Sequence, residues 1–240
     1  MKKIQLFTLL AASAVLVACG NGNNPAGSSS NTNWTEVSME QYVAKATAVP
    51  DVAPTAKASA HVVTTGNTDI TGEGEGWEQY ASMMQSSMSS VENTDVTYTY
   101  VYSEDRSAYV AEPASNEASA LSGNLGQFNK QSYYDAMVRE MSSAQSASGT
   151  EGANMTYHFY TSDAGFKIYS DVEMVASSTG ETVTMTAEMI FDTNLYAVSM
   201  VSDNTVVMNM DLGAMGVPDG PVLHIDSVSH TEVTISHYND

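Results

Sequence analysis

The sequence is poor in basic residues and almost without thiols. Its 240 residues hold 8 Lys and Arg against 28 Asp and Glu, a net charge of −20, and a single cysteine. One cysteine excludes an intramolecular disulfide framework and any cysteine-rich zinc site. So few cations exclude a nucleic-acid groove, because phosphate binding rests on clustered Lys and Arg. No apolar run reaches the ~20 residues that a spanning helix needs. Signatures of catalysis are missing too: the sequence has no G-x-S-x-G elbow, S-x-x-K, H-E-x-x-H, C-x-x-C or Walker loop. It therefore reads as a non-enzymatic protein without a cofactor. At 42% apolar residues it has enough material for a packed core, so wholesale disorder is excluded.

What is present begins at the N-terminus. Met1-Lys2-Lys3 is a positive leader, and Ile4 to Ala18 is an apolar stretch broken only by Gln5, Thr8 and Ser13. This is the pattern of a secretory signal over residues 1–18. It ends Leu16-Val17-Ala18-Cys19-Gly20, which resembles the lipobox of bacterial lipoproteins. The resemblance implies that Cys19 is the lipid attachment site and the new N-terminus, so that the partner is a membrane, held through N-terminal acyl chains. Buried acyl chain is worth ~0.8 kcal/mol per CH₂, and one chain alone holds only marginally, so two or three are needed for a durable anchor. Removing Lys2 and Lys3 leaves six basic residues against 28 acidic, a net of −22. Such a surface repels anionic headgroups, which leaves the lipid as the means of membrane contact. The expected location is the bacterial cell envelope, with the domain extracytoplasmic.

Residues 19–33 are expected to be the lipidated cysteine and a flexible tether. Gly20 to Asn33 reads GNGNNPAGSSSNTN, with no charge and no aliphatic side chain larger than Ala. Fourteen such residues reach roughly 20 Å. Residues 34–240 fit one domain.

Within that domain Ser38-Met39-Glu40-Gln41 is a capping box, and Met39, Tyr42, Val43 and Ala46 share one helical face. A strand is expected over 58–64, then a turn at Gly66-Asn67 and a glycine loop over 71–76. Trp77, Tyr80, Met84, Met88 and Val91 form a helical stripe. Val96 to Tyr102 alternates as a strand, Ser103 to Arg106 turns, and Ala108 to Glu112 pairs back. The stretch 112–126 reads as a loop or weak helix, and Tyr133, Met137 and Met141 mark a further helix. From Met155 onward five short strands are separated by four turns, at 162–165, 177–180, 192–194 and 202–204. A final strand covers 231–238 with Val233 and Ile235 inward. One face of this meander carries Thr, Glu, Asp and Lys. The other carries Phe, Ile, Val and Met and needs a cover, which the helices near 77–91 and 132–143 supply. The fold class is α+β: a curved antiparallel β-sheet, or half-barrel, with helices packed on one face.

With its lipobox and tether, this order of elements resembles the LolA/LppX-like lipoproteins. The resemblance implies a half-barrel closed by helices, with room between them for a lipid or acyl group. It is one of pattern and transfers no individual residue.

Two clusters of possible ligands are weak as metal sites. His230 and His237 have opposite strand parity, so they diverge. Asp69, Glu73, Glu75 and Glu78 gather near glycines but lack calcium-loop spacing. No metal is therefore assigned. The stronger signal is soft apolar content, because thioethers fill irregular space and recur at adaptable binding surfaces. Trp77, Tyr80, Met84, Tyr98, Tyr100, Met174, Met185, Met189, Met208 and Met210 are the candidate lining of a cavity between sheet and helices. The partner they imply is a hydrophobic small molecule or lipid. The competing reading is an interaction module without a cavity, in which exposed tyrosines and acidic loops bind an envelope protein or wall polymer.

Overall fold

The computed structural model describes residues 33–122, 125, 153–176 and 181–239. The signal, Cys19, nearly all of the tether, the helix expected around Tyr133 to Met141 and the turn at 177–180 lie outside the described residues. The elements run β1 (Thr35–Val37), α1 (Met39–Ala48), β2 (Lys57–Glu73), α2 (Trp77–Glu92), β3 (Asn93–Ser103), β4 (Ala108–Ala111) and α3 (Asn116–Ser122). They continue as β5 (Ala153–Ser162), β6 (Gly165–Ala176), β7 (Glu181–Phe191), β8 (Ala197–Asp211) and β9 (Val222–Tyr238). The nine described strands form one antiparallel sheet in the order β1-β5-β6-β7-β8-β9-β2-β3-β4. The sheet is curved and not closed, with β1 and β4 at its two edges, as expected for an α+β half-barrel. The last strand joins the halves: β9 pairs with β8 on one side and with the whole length of β2 on the other.

Three stretches that read as turns or gaps are strand. Gly66-Asn67 does not turn, because β2 runs straight through it opposite Ser229 and Val228. Ser202-Asp203-Asn204 does not turn either. It sits inside β8, paired with Ala187, Thr186 and Met185 on one side and with Thr231, His230 and Ser229 on the other. The two strands expected at 196–201 and 206–212 are thus one. β9 begins at Val222, nine residues before the expected 231. In each case ladder hydrogen bonds to both neighbouring strands override the local preference of Gly, Asn, Asp and Ser for turns. β1 was not visible in the pattern, and the seven-residue α3 falls within the stretch 112–126 that reads as a loop or weak helix.

All three helices lie on the inner face. α1 starts in a complete capping box: Ser38 Oγ accepts from the Gln41 N–H at 3.3 Å, and the Ser38 N–H donates to Gln41 Oε1 at 3.1 Å. It presents Tyr42 and Ala46 to Phe159, Phe166 and Phe191 of the sheet. The Tyr42 ring lies 5.2 Å from Phe159 and edge-on to Phe166 at 5.6 Å. α3 seats Ala118 and Leu121 in the same cluster, where the buried Tyr100 hydroxyl donates to the Ala118 carbonyl at 3.0 Å. Burial with few partners pushes the Tyr100 phenol far above its ordinary pKa. α2 covers the opposite end of the strands, placing Trp77, Tyr80, Ala81 and Met84 over Ile70, Met208, Met210, Leu223 and Ile225. Gly72 makes this approach possible. A Cβ there would lie 2.8 Å from the Val222 carbonyl oxygen and 3.0 Å from Trp77 Cβ.

The polypeptide enters the domain at the β1 edge. Trp34 rests against the Lys167 ammonium, 5.4 Å from its ring centre. The same ammonium lies 4.6 Å from the Tyr160 ring and donates to Glu188 Oε2 at 3.1 Å. One outward-facing lysine thus ties Trp34 to β5, β6 and β7.

Candidate functional site

The ten candidate lining residues share the inner face but do not enclose one space. Trp77, Tyr80, Met84, Met208 and Met210 belong to the cluster under α2. Tyr98, Tyr100 and Met189 belong to the cluster under α1 and α3, at the other end of the strands. Met174 and Met185 belong to neither. They sit half-buried on β6 and β7 beside Val172 and Val183.

Between the two clusters the inner face changes character. Ser170, Ala187, Ser202, Thr231, Thr64 and Thr94 stand in one ladder row across β6, β7, β8, β9, β2 and β3. The next row holds Val172, Met185, Asn204, Ser229 and Gly66, and the one after it Met174, Val183, Val206, Ser227 and Thr68. On β8, β9 and β2 this belt is mostly polar, Val206 excepted, while on β6 and β7 it is mostly apolar, Ser170 excepted. It is also buried: Ser202 is 1% exposed, Thr68 4%, Thr231 6%, Ser170 7% and Asn204 9%. Buried polar groups need partners, and several have them. The Thr64 and Thr231 hydroxyls bond at 3.1 Å, those of Thr68 and Ser227 at 2.8 Å, and Asn204 Nδ2 donates to Ser229 Oγ at 3.5 Å. The Ser170 hydroxyl and the Asn204 side-chain oxygen make no hydrogen bond among the described residues.

The acidic charge lies elsewhere. Among the described residues, the inward strand positions of the belt and of both clusters hold no Asp, Glu, Lys or Arg. Glu181, the first residue of β7, is the exception by parity. The outer face carries the ions. His230 Nδ1 lies 2.6 Å from Asp203 Oδ1 and Nε2 lies 3.1 Å from Glu232 Oε1, so both ring nitrogens donate when the imidazole is protonated. Burial works against that proton, but the hydrogen bonds that Asp203 and Glu232 accept from the ring outweigh it and raise the pKa above the usual histidine value. Thr65 and Asn67 of β2, Asp203 and Thr205 of β8, and Val228 and His230 of β9 line an open outer groove of about 460 Å³.

His237 has the opposite environment. It faces inward between the rings of Tyr196, at 4.7 Å, and Tyr109, at 5.8 Å, and its Nε2 donates to the Ala197 carbonyl at 3.3 Å. Burial holds its pKa below the ordinary value. Burial also pushes the Tyr196 phenol up to about 12. The two histidines do diverge, one to each face. Among the described residues no group of three or more His, Cys, Asp and Glu is arranged to hold a metal ion. No described helix is long and apolar enough to cross a membrane.

The chain matches no protein-family model, no curated protein and no solved structure. The belt is the feature that the sequence reading passed over. Its signal is Ser, Thr, Asn and Gly recurring at every second position between apolar inward residues, partly in stretches that read as turns (66–67 and 202–204) and partly in one that reads as no element (227–229).

Proposed function

We propose that this is a non-enzymatic, lipid-anchored protein of the bacterial cell envelope that holds a hydrophobic ligand or lipid against the inner face of its half-barrel. One observation carries the ligand reading. Val172, Met174, Val183 and Met185 form an apolar inner-face patch on β6 and β7 that, among the described residues, joins neither packed cluster, and two of its members are flexible thioethers. The cavity-lining set narrows accordingly. Trp77, Tyr80, Met84, Met208, Met210, Tyr98, Tyr100 and Met189 build core, and Met174 and Met185 remain for the ligand.

The anchor reading rests on Cys19 closing the apolar signal. Cys19→Ser is expected to move the protein from the membrane fraction to the soluble extracytoplasmic fraction, and unchanged membrane association refutes lipidation. Native mass spectrometry of that soluble variant is expected to show a co-purifying lipid.

A second reading, an interaction module, draws on the outer groove. There Val228 is 50% exposed beside Asp203 and His230. It predicts no co-purifying lipid, and loss of an envelope partner from cross-linked cells when Val228 is changed to Asp.

A further inference from the structure

We propose that the outer groove of β8, β9 and β2 docks an extended, basic segment of another protein, with an apolar side chain over Val228 and a lysine or arginine between Asp69 and Asp226. The inference rests on the interaction reading of that groove and adds the chemistry of the partner.

Three observations combine. First, the groove lies on a sheet face that no described helix covers, since all three pack on the inner face. Val228, within the groove, is 50% exposed, and Val207, one ladder row beyond it on β8, is 38% exposed. The two are diagonal neighbours across β8 and β9, so they make one apolar spot. Second, the charge beside that spot is of one sign. Asp69 and Asp226 face each other directly across the β2–β9 ladder. β8 and β9 contain no lysine or arginine, and β2 has only Lys57, at its far end. His230 serves Asp203 and Glu232, on the other side of Val228. Like charges directly opposite destabilise a sheet, and a cation supplied by a partner relieves them. Third, the spacing suits an extended chain. Asp226 and Val228 are alternate residues of one strand, ~6.6 Å apart, which is also the repeat of side chains along one face of any extended segment. A partner side chain on Val228 therefore sets the side chain two residues away over the Asp69–Asp226 pair. A simple polyamine would meet the carboxylates but leave Val228 uncovered.

The test uses the full chain carrying Cys19→Ser and two end-blocked peptides, Lys-Ser-Lys-Ser-Val-Ser-Thr and the same peptide with serine in place of valine. Titration followed by amide NMR shifts is expected to show the valine peptide binding with changes confined to residues 65–69, 203–207 and 226–230. It is expected to bind about fivefold more tightly than the serine peptide, the effect of covering part of a valine side chain. Asp69→Asn combined with Asp226→Asn is expected to weaken the valine peptide about tenfold. The same pair of changes removes a like-charge contact, so the melting temperature is expected to stay unchanged or rise. Asp105→Asn combined with Asp163→Asn makes an equal change in net charge in the exposed hairpins at the opposite end of the strands. At physiological salt charges are screened within ~8 Å, so this control pair is expected to leave the affinity within about twofold. Equal weakening by the two pairs, or shifts spread over the whole surface, shows attraction to bulk charge and overturns the inference. Equal affinity for the two peptides, or binding of neither, also overturns it. The interaction reading is decided separately, by whether Val228→Asp removes the cross-linked partner.

Discussion

Gly72 is where the seating of α2 on the sheet can be measured with one atom. An added Cβ would lie 2.8 Å from the Val222 carbonyl oxygen, 3.0 Å from Trp77 Cβ and 3.1 Å from Leu223 Cδ2. Ordinary contacts of this kind are ~3.5–4.0 Å, so three neighbours are too close by several tenths of an ångström or more. The Leu223 methyl can rotate away. The Val222 carbonyl is tied into the β9 ladder, and Trp77 is the first residue of α2, so neither yields without moving an element. Overpacking of this kind costs ~1–3 kcal/mol, and the stiffer unfolded chain of an alanine variant returns ~0.4–1 kcal/mol. Gly72→Ala should therefore destabilise by about 1–2 kcal/mol, or about 2–8 °C in melting temperature for a domain of this size. Scanning calorimetry measures it, and a red shift of Trp77 emission locates it at α2. Gly76 is the control: nothing lies within 4 Å of its Cβ position, but its φ is +77°. Gly76→Ala should cost ~1–2 kcal/mol through conformation alone, and Gly76→Asn less, because Asn visits the left-handed region more readily. At Gly72 Asn offers no such relief. A Gly72→Ala protein as stable as the parent would mean that α2 is not seated on β2, and the account of this end of the core would fail.

Other outcomes follow from local features. Ser38→Ala removes the exposed cap of α1 and should lower stability by ~1 kcal/mol, read from the urea midpoint with an unchanged slope; Ser38→Asp should largely restore it. The two shielded histidines should tilt the pH profile in opposite directions. His230 has a raised folded pKa, so its contribution is complete below the ordinary value of 6.5 and is lost as the pH rises through the folded value. His230→Gln should therefore flatten the loss of stability on the alkaline side. His237 has a lowered folded pKa, so its contribution is complete above 6.5 and is lost as the pH falls toward the folded value. His237→Gln should flatten the acid side. Melting curves between pH 4.5 and 8.5 that stay parallel for all three proteins would contradict both assignments.

Much of the architecture could be read from residue pattern, and the failures share a cause. α1, α2, β3, β4, β6 and β7 follow directly from a capping box, a helical stripe and alternation, because each has one apolar face against a polar one. Thr65-Gly66-Asn67, Ser202-Asp203-Asn204 and Ser227-Val228-Ser229 defeated the same rules, since none has an apolar inward residue to mark the strand period. All three stretches cross the one belt. Local sequence rules fail where the inner face is polar by design, and such places are where function is expected to compromise regularity. Alternation alone puts Met174, Met185, Met189, Met208 and Met210 on the inner face, where the strand register has them. Sequence could not show that eight of the ten candidate lining residues fall into two separate packed clusters, because that depends on where along the strands each helix lands.

The pairing of β2 with β9 has a consequence for how the molecule is made. Thr64 and Thr231, hydroxyl to hydroxyl, are 167 positions apart in the chain. Until residues 222–238 emerge, β2 has only β3 beside it and β8 has only β7, so the two halves of the sheet wait for a shared member. The most extensive strand pairing therefore cannot form before the final strand is available, and closure across so long a stretch of chain is the slow kind, which makes β9 the element on which completion of the sheet waits.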